Sequence, residues 1–133
     1  MALLIADLDD ILANVNEMSG KDGLDLGCNQ RHLTAGIAAM RSATDMILTM
    51  SDQDSGAAAV PYLALCGDVI AGAFLIKSVL SGLKAGDPQA AAMQKLVWHH
   101  SLKYVSKAPG YLEQIKYAAA AVFAYPEDRL ADL

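Results

Sequence analysis

Asp68 needs a chemical explanation before any other residue of this 133-residue chain, because it stands inside Leu65-Cys66-Gly67-Asp68-Val69-Ile70, part of the most apolar stretch of the sequence. A carboxylate in apolar surroundings must find a hydrogen-bond donor or shift its pKa upward. Tyr62, Lys77, His99, His100 and Tyr104 could each supply that donor. The favoured reading is a structural hydrogen bond that keeps two helices in register, ahead of catalysis. His100 and Tyr104 stand four residues apart and so share one helical face; with Asp68 they are the candidate buried polar anchors.

The other reactive side chains do not assemble into a site in sequence. Asp7, Asp9 and Asp10 sit within a helical pattern, whereas calcium loops need oxygen ligands at alternate positions around a glycine turn. Near a helix N-terminus these carboxylates complement the dipole. His99 and His100 are adjacent and point about 100° apart on a helix, so they cannot share a metal as an i, i+4 pair can. His100 is expected against the core and His99 at the surface, while His32 stands alone. Carboxylate di-iron bundles draw glutamates and Glu-x-x-His motifs from several helices, and this chain has only Glu17, Glu113 and Glu127. No metal site is expected. Cys28 and Cys66 are not a close-spaced pair of the kind that holds zinc or exchanges disulfides, so reduced, buried thiols are expected. No glycine-rich phosphate loop or GxSxG elbow occurs, and no catalytic residue stands out.

The elements that would position these groups are helices. Hydrophobic residues make up 54% of the chain and prolines number 4, a balance that suits long buried helices in one domain spanning residues 1–133. Leu4, Leu8, Ile11, Leu12, Val15 and Met18 recur at three- and four-residue steps, and the chain is expected to reverse at Ser19-Gly20-Lys21-Asp22-Gly23. A second helix carries Leu26, Leu33, Ile37, Met40, Thr44 and Ile47 inward and runs to about Met50. Ser51 to Gly56 reads as a loop, with Asp54 or Ser55 capping a third helix over residues 57–83 that is apolar nearly all round and therefore central and fully buried. Pro61 must lie in its first turn or kink it. Gly86-Asp87-Pro88 reads as a stop and a start. The fourth helix turns Met93, Leu96, Val97, His100 and Tyr104 inward and is broken by Pro109-Gly110 after Ala108. A fifth turns Leu112, Ile115, Ala119, Val122 and Phe123 inward and ends at Tyr125-Pro126-Glu127-Asp128. The fold class that follows is all-α, an antiparallel bundle of four to five helices.

A formal charge of -5 repels phosphate backbones and anionic membrane surfaces, so neither nucleic acid nor membrane is an expected partner. The apolar run from Ala57 to Leu83 approaches the length of a membrane span, but Pro61, Asp68 and Lys77 interrupt it. The early aspartates do not fit a secretory signal, and a cytoplasmic chain is expected.

Pro61-Tyr62-Leu63-Ala64-Leu65-Cys66-Gly67-Asp68-Val69-Ile70-Ala71-Gly72-Ala73-Phe74-Leu75 resembles the signature helix of the acetyl-CoA-dehydrogenase C-terminal-like family, a domain that follows the catalytic core in one branch of the acyl-CoA dehydrogenases. Leu33 to Leu48 resembles the long helix that precedes it. Ala119 to Glu127 is similar to the closing segment, so the likeness covers most of the chain. Cys66 and Ala64 depart from the bulkier residues of the pattern. The resemblance implies an acyl-CoA-dehydrogenase C-terminal-domain-like bundle. It also implies a full-length relative, an oxidoreductase of fatty acid metabolism, that binds FAD and oxidises an acyl-CoA with a glutamate base. Nothing in this chain matches that base or the flavin-binding segments, so no cofactor is expected here.

Two functions follow as expectations. The first is an accessory domain that packs on the catalytic core of an acyl-CoA dehydrogenase or on another copy of itself in a homo-oligomer, and is not catalytic alone. The second is a stand-alone bundle binding a small apolar ligand, with Asp68 or His100 as the polar anchor. An uncovered apolar helix face favours the first, and a closed cavity of several hundred Å³ around those anchors favours the second.

Overall fold

The computed structural model describes residues 1–19 and 26–124, which form five α-helices and contain no strand. α1 spans Ala2–Met18, α2 Asn29–Thr49, α3 Asp52–Lys84, α4 Ala90–Lys103 and α5 Ala108–Val122, with a 3-10 turn at Val105–Lys107 joining the last two. α1 buries Ile5, Leu8, Ile11 and Val15, and α2 buries Leu33, Ile37, Met40 and Thr44. Apart from Ile5, which is buried where the spacing assigned Leu4, these residues belong to the stripes that the three- and four-residue spacing predicts. Gly20 to Gly23 and Tyr125 to Asp128, where the sequence places a reversal and a helix end, lie outside the described residues.

Three boundaries differ from the sequence reading. The polar run after Ser51 is not a loop but the first turn of α3, because Ser51 Oγ accepts from the Asp54 amide at 3.2 Å and Asp52 and Asp54 favour the positive end of the helix dipole. α3 thereby gains a turn and a half, and Pro61 falls inside it. α4 ends before Pro109, at Lys103, and the 3-10 turn carries the chain directly into α5, where Pro109 and Gly110 occupy the first turn. That position tolerates proline because its missing N–H has no partner to lose. The Gly86-Asp87-Pro88 turn does separate two helices: Gly86 takes φ 71° and Asp87 Oδ1 accepts from the Gln89 amide at 2.8 Å.

Pairwise contacts set the directions. Arg41 of α2 grips Asp9 of α1 through both carboxylate oxygens, at 2.7 and 3.0 Å, and Gln30 meets Asn16 further along, so α1 and α2 are antiparallel. Thr44 meets Tyr62, and Gly36 faces Val69, so α2 and α3 are antiparallel. α4 descends α3 from Gly82, beside Ala90, to Gly72, beside His100. α5 continues the same way, with Tyr111 at Asp68. The architecture is an antiparallel bundle whose fourth column is broken into α4 and α5. α2 and α3 are the middle pair, flanked by α1 and by the α4–α5 column.

α3 touches every other helix yet is not fully buried: only 44% of its most apolar 18-residue window is enclosed. Length and composition alone would let it cross a membrane, a test that core helices also pass. Three further residues assigned inward by spacing face out, namely Leu96 (65% exposed), Val122 (58%) and Phe123 (47%). On alanine-rich helices many faces look apolar, so periodicity loses its power to choose one.

The columns meet most closely at Val105. A methyl group at Gly72 would lie 2.6 Å from Val105 Cγ2, and one at Gly36 would lie 2.9 Å from Val69 Cγ2 and 3.2 Å from Val105 Cγ1. Gly72→Ala is therefore expected to destabilise by about 1–3 kcal/mol through overpacking, and Val105→Ala in the same chain to recover part of that loss. Gly67→Ala, where an added methyl meets nothing, should instead stabilise by about 0.5–1 kcal/mol through helix propensity. Urea melts of the three variants would show equal losses at both glycines if this packing were wrong.

Candidate functional site

The three sequence-derived anchors do come together, at the corner where α4 turns into α5. His100 Nε2 donates to the main-chain carbonyl of Asp68 at 3.2 Å, and the His100 ring lies 5.0 Å from that of Tyr104. The acceptor is the Asp68 backbone and not its carboxylate. None of the three is fully buried; each is half-buried. The sequence reading overestimated Asp68 because the apolar residues around it in sequence point partly outward. His99 is exposed, as its offset from His100 requires.

The Asp68 side chain faces Tyr111 instead, a residue of α5 that its distance in sequence concealed. Desolvation, followed by the Asp68 charge and its hydrogen bond, pushes the Tyr111 phenol above its ordinary pKa of 10.0. Lys103 and Lys107 each place an ammonium 5.3 Å from the centroid of the Tyr104 ring, within cation–π range. The corner is thus a polar knot of an imidazole, two phenols, a carboxylate and two ammonium groups. Among the described residues no carboxylate orients His100 and no nucleophile stands before it, so the corner as described lacks the geometry of acid–base catalysis.

A serine–histidine pair, which spacing did not suggest, joins α2 to α4: His32 Nδ1 lies 3.0 Å from Ser101 Oγ, 69 residues away. Ser101 is only 3% exposed, so its hydroxyl bridges the helices and cannot reach a substrate. A second bridge joins α2 to α3. Thr44 donates to the Met40 carbonyl at 2.8 Å and is left to accept from the Tyr62 hydroxyl at 3.0 Å. Cys66 is buried beside it, and burial raises its thiol pKa against the pull of Tyr62, which disfavours the nucleophilic thiolate. Asn29, fully buried at the start of α2, has neither amide atom hydrogen-bonded. Among the described residues no three potential ligands stand close enough to hold a metal ion.

Clefts of the described surface lie elsewhere. A groove of about 390 Å³ runs between α1 and α2, with Met1, Ile5 and Leu48 as apolar walls and Asp9, Arg41 and Asp45 along its rim. A smaller hollow of about 90 Å³ lies between α1 and α3, lined by Ile11, Asn14, Lys77, Leu80, Ser81 and Lys84. Neither is lined by Asp68, His100 or Tyr104. No protein-family model, curated protein or solved structure matches the chain.

Two measurements test the polar knot and the His32–Ser101 bridge. His100→Ala should cost about 1–3 kcal/mol, through the lost bond to Asp68 and the space opened beside Gly72, whereas Asp68→Ala should cost under about 1 kcal/mol because the carbonyl survives. Denaturant melts that rank the two in the opposite order would contradict this assignment. The second concerns pH. Desolvation, then the Arg31 charge, lowers the His32 pKa below 6.5, and the Ser101 contact opposes them. The unfolded chain therefore takes up a proton near pH 6.5 that the folded chain holds off until lower pH, so stability falls as pH drops through that window. His32→Gln should flatten this dependence between about pH 7.5 and about pH 5.

Proposed function

We propose that the chain is an accessory helical-bundle domain of an FAD-dependent acyl-CoA dehydrogenase, packing on the catalytic core or a neighbouring subunit and not catalytic by itself. The observation that carries this reading is an apolar end to the bundle. α1 begins, α2 ends and α5 ends at that end, and there Leu3 is 84% exposed, Leu48 77%, Val122 58% and Phe123 47%. Exposed apolar surface of this kind, rimmed here by Asp9, Arg41 and Asp45, suits a protein interface better than bare solvent. The groove between α1 and α2 can seat a partner's apolar side chain, and the resemblance along Pro61 to Leu75 supplies the class of partner. The rival reading called for a closed cavity at Asp68 and His100, and the clefts described above favour it less.

A photo-crosslinking amino acid at Leu48, introduced into the chain in its native cells, should trap a flavin-containing acyl-CoA dehydrogenase polypeptide identified by mass spectrometry. The yield should drop when Leu3 and Phe123 are replaced by Glu. Trapping of no protein, or of proteins unrelated to flavoenzymes, would sink the reading. The purified chain should also be colourless and leave an artificial electron acceptor unreduced when acyl-CoA is added. Flavin absorbance with turnover would make it an enzyme in its own right.

A further inference from the structure

The outer face of α3 is a continuous apolar stripe distinct from the apolar end. Gly56, Val60, Leu63, Gly67, Ala71 and Phe74 follow at three- and four-residue steps, and all six face solvent. Val60 is 76% exposed, Leu63 68% and Phe74 45%, and methyl groups added at Gly56 or Gly67 would touch nothing. Small and large residues are arranged symmetrically about Gly67. Val60 and Phe74 lie equally far from it on either side, as do Leu63 and Ala71.

We propose that this stripe docks onto the same stripe of a second copy, the two α3 helices running antiparallel with their crossing point at Gly67. In that register Leu63 of one copy lies beside the small Ala71 of the other, Val60 lies beside Phe74, and the two Gly67 positions let the backbones approach. Charge selects the antiparallel sense. At about 100° per residue, Asp52, Lys77 and Lys84 fall on the same flank of the stripe, with the acid at one end of the helix and the lysines at the other. A twofold axis at Gly67 sets Asp52 of each copy level with the stretch between Lys77 and Lys84 of the other. Among the described residues no ion pair engages any of the three, and Lys77 Nζ lies 5.8 Å from the centroid of the Phe74 ring. Parallel pairing would set Asp52 level with Asp52 and the lysines level with lysines, leaving no opposite charge across the contact. The closed, isologous contact uses each stripe once and gives a dimer, not a filament.

The face also bounds the strength. From Gly56 to Phe74 it rises about 27 Å, and a helix is about 10 Å wide, so each copy contributes roughly 300 Å², well under the roughly 800 Å² of a standard interface. A weak dimer, with a Kd on the order of hundreds of micromolar, is expected. The proposal rests on the accessory-domain reading only in taking exposed apolar surface for docking surface, and it uses different residues.

Sedimentation equilibrium of the full chain from about 1 to about 500 µM should show a monomer–dimer equilibrium. Leu63→Glu should abolish it while leaving the helical circular dichroism intact. Asp52→Lys should weaken it roughly five-fold, and adding Lys77→Asp and Lys84→Asp to that variant should restore it. In a Cys28→Ser, Cys66→Ala background, Gly67→Cys should form a disulfide-linked dimer on oxidation and Ser106→Cys should not. A chain that stays monomeric throughout, or a dimer indifferent to Leu63→Glu and uncrosslinked at Gly67, would overturn the proposal. Because the Leu48 crosslink probes residues outside the stripe, its success beside a monomeric chain would leave the accessory-domain reading standing and remove only this one.

Discussion

Val105 is the point on which the arrangement of columns depends. Its side chain is 2% exposed and wedged over Gly36 of α2 and Gly72 of α3, so the middle pair and the broken column meet at one residue. Packed interiors do not yield continuously, and an extra methyl at either glycine must push a helix or a rotamer out of place. The 3-10 turn is the device that delivers Val105 to that spot. Val97 before it and Ile115 after it also reach the core.

The polar groups near this contact follow from it. His100 lies beside Gly72 because no side chain occupies that place, and from there its ring reaches the Asp68 carbonyl. α5 then leaves the corner at the height of Asp68 and brings Tyr111 to the carboxylate. Each group has found a structural partner, and the bridges from His32 to Ser101 and from Thr44 to Tyr62 serve the same end between other columns. Buried or half-buried polar groups need partners whether or not they do chemistry. Their convergence here is what a helix corner requires.

Placing α2 and α3 in the middle has a second consequence. Four columns packed as a central pair with one flank on each side enclose α3 on the sides that meet α1, α2 and the α4–α5 column, and leave its outermost stripe bare. A helix that is apolar nearly all round therefore keeps an apolar face in solvent, at a hydrophobic cost of about 25 cal/mol for each exposed Å². Burial in a second protein surface removes that cost, which gives the exposed stripe and the apolar end a common physical motive. Charge does not oppose it, because Asp52 lies at one end of α3 and Lys77 and Lys84 lie toward the other.

The sequence by itself determined that the described chain is helical, where its helices lie to within about five residues, and broadly which faces of α1 and α2 turn inward. Those properties are local: three- and four-residue spacing, and polar or glycine breaks, act through neighbours on one helix. It also brought Asp68, His100 and Tyr104 forward as residues needing partners, and His100 and Tyr104 do stack. Only tertiary structure decided that Ser51 caps α3 and that Pro109 starts a helix instead of ending one, since both motifs read either way without their surroundings. It alone paired Asp68 with Tyr111 and His32 with Ser101, because partners 43 and 69 residues apart leave no trace in spacing. And it alone settled which apolar faces remain outside. Leu8 and Leu48 are the same residue to a hydropathy pattern, and what separates them is whether another helix arrives to cover them.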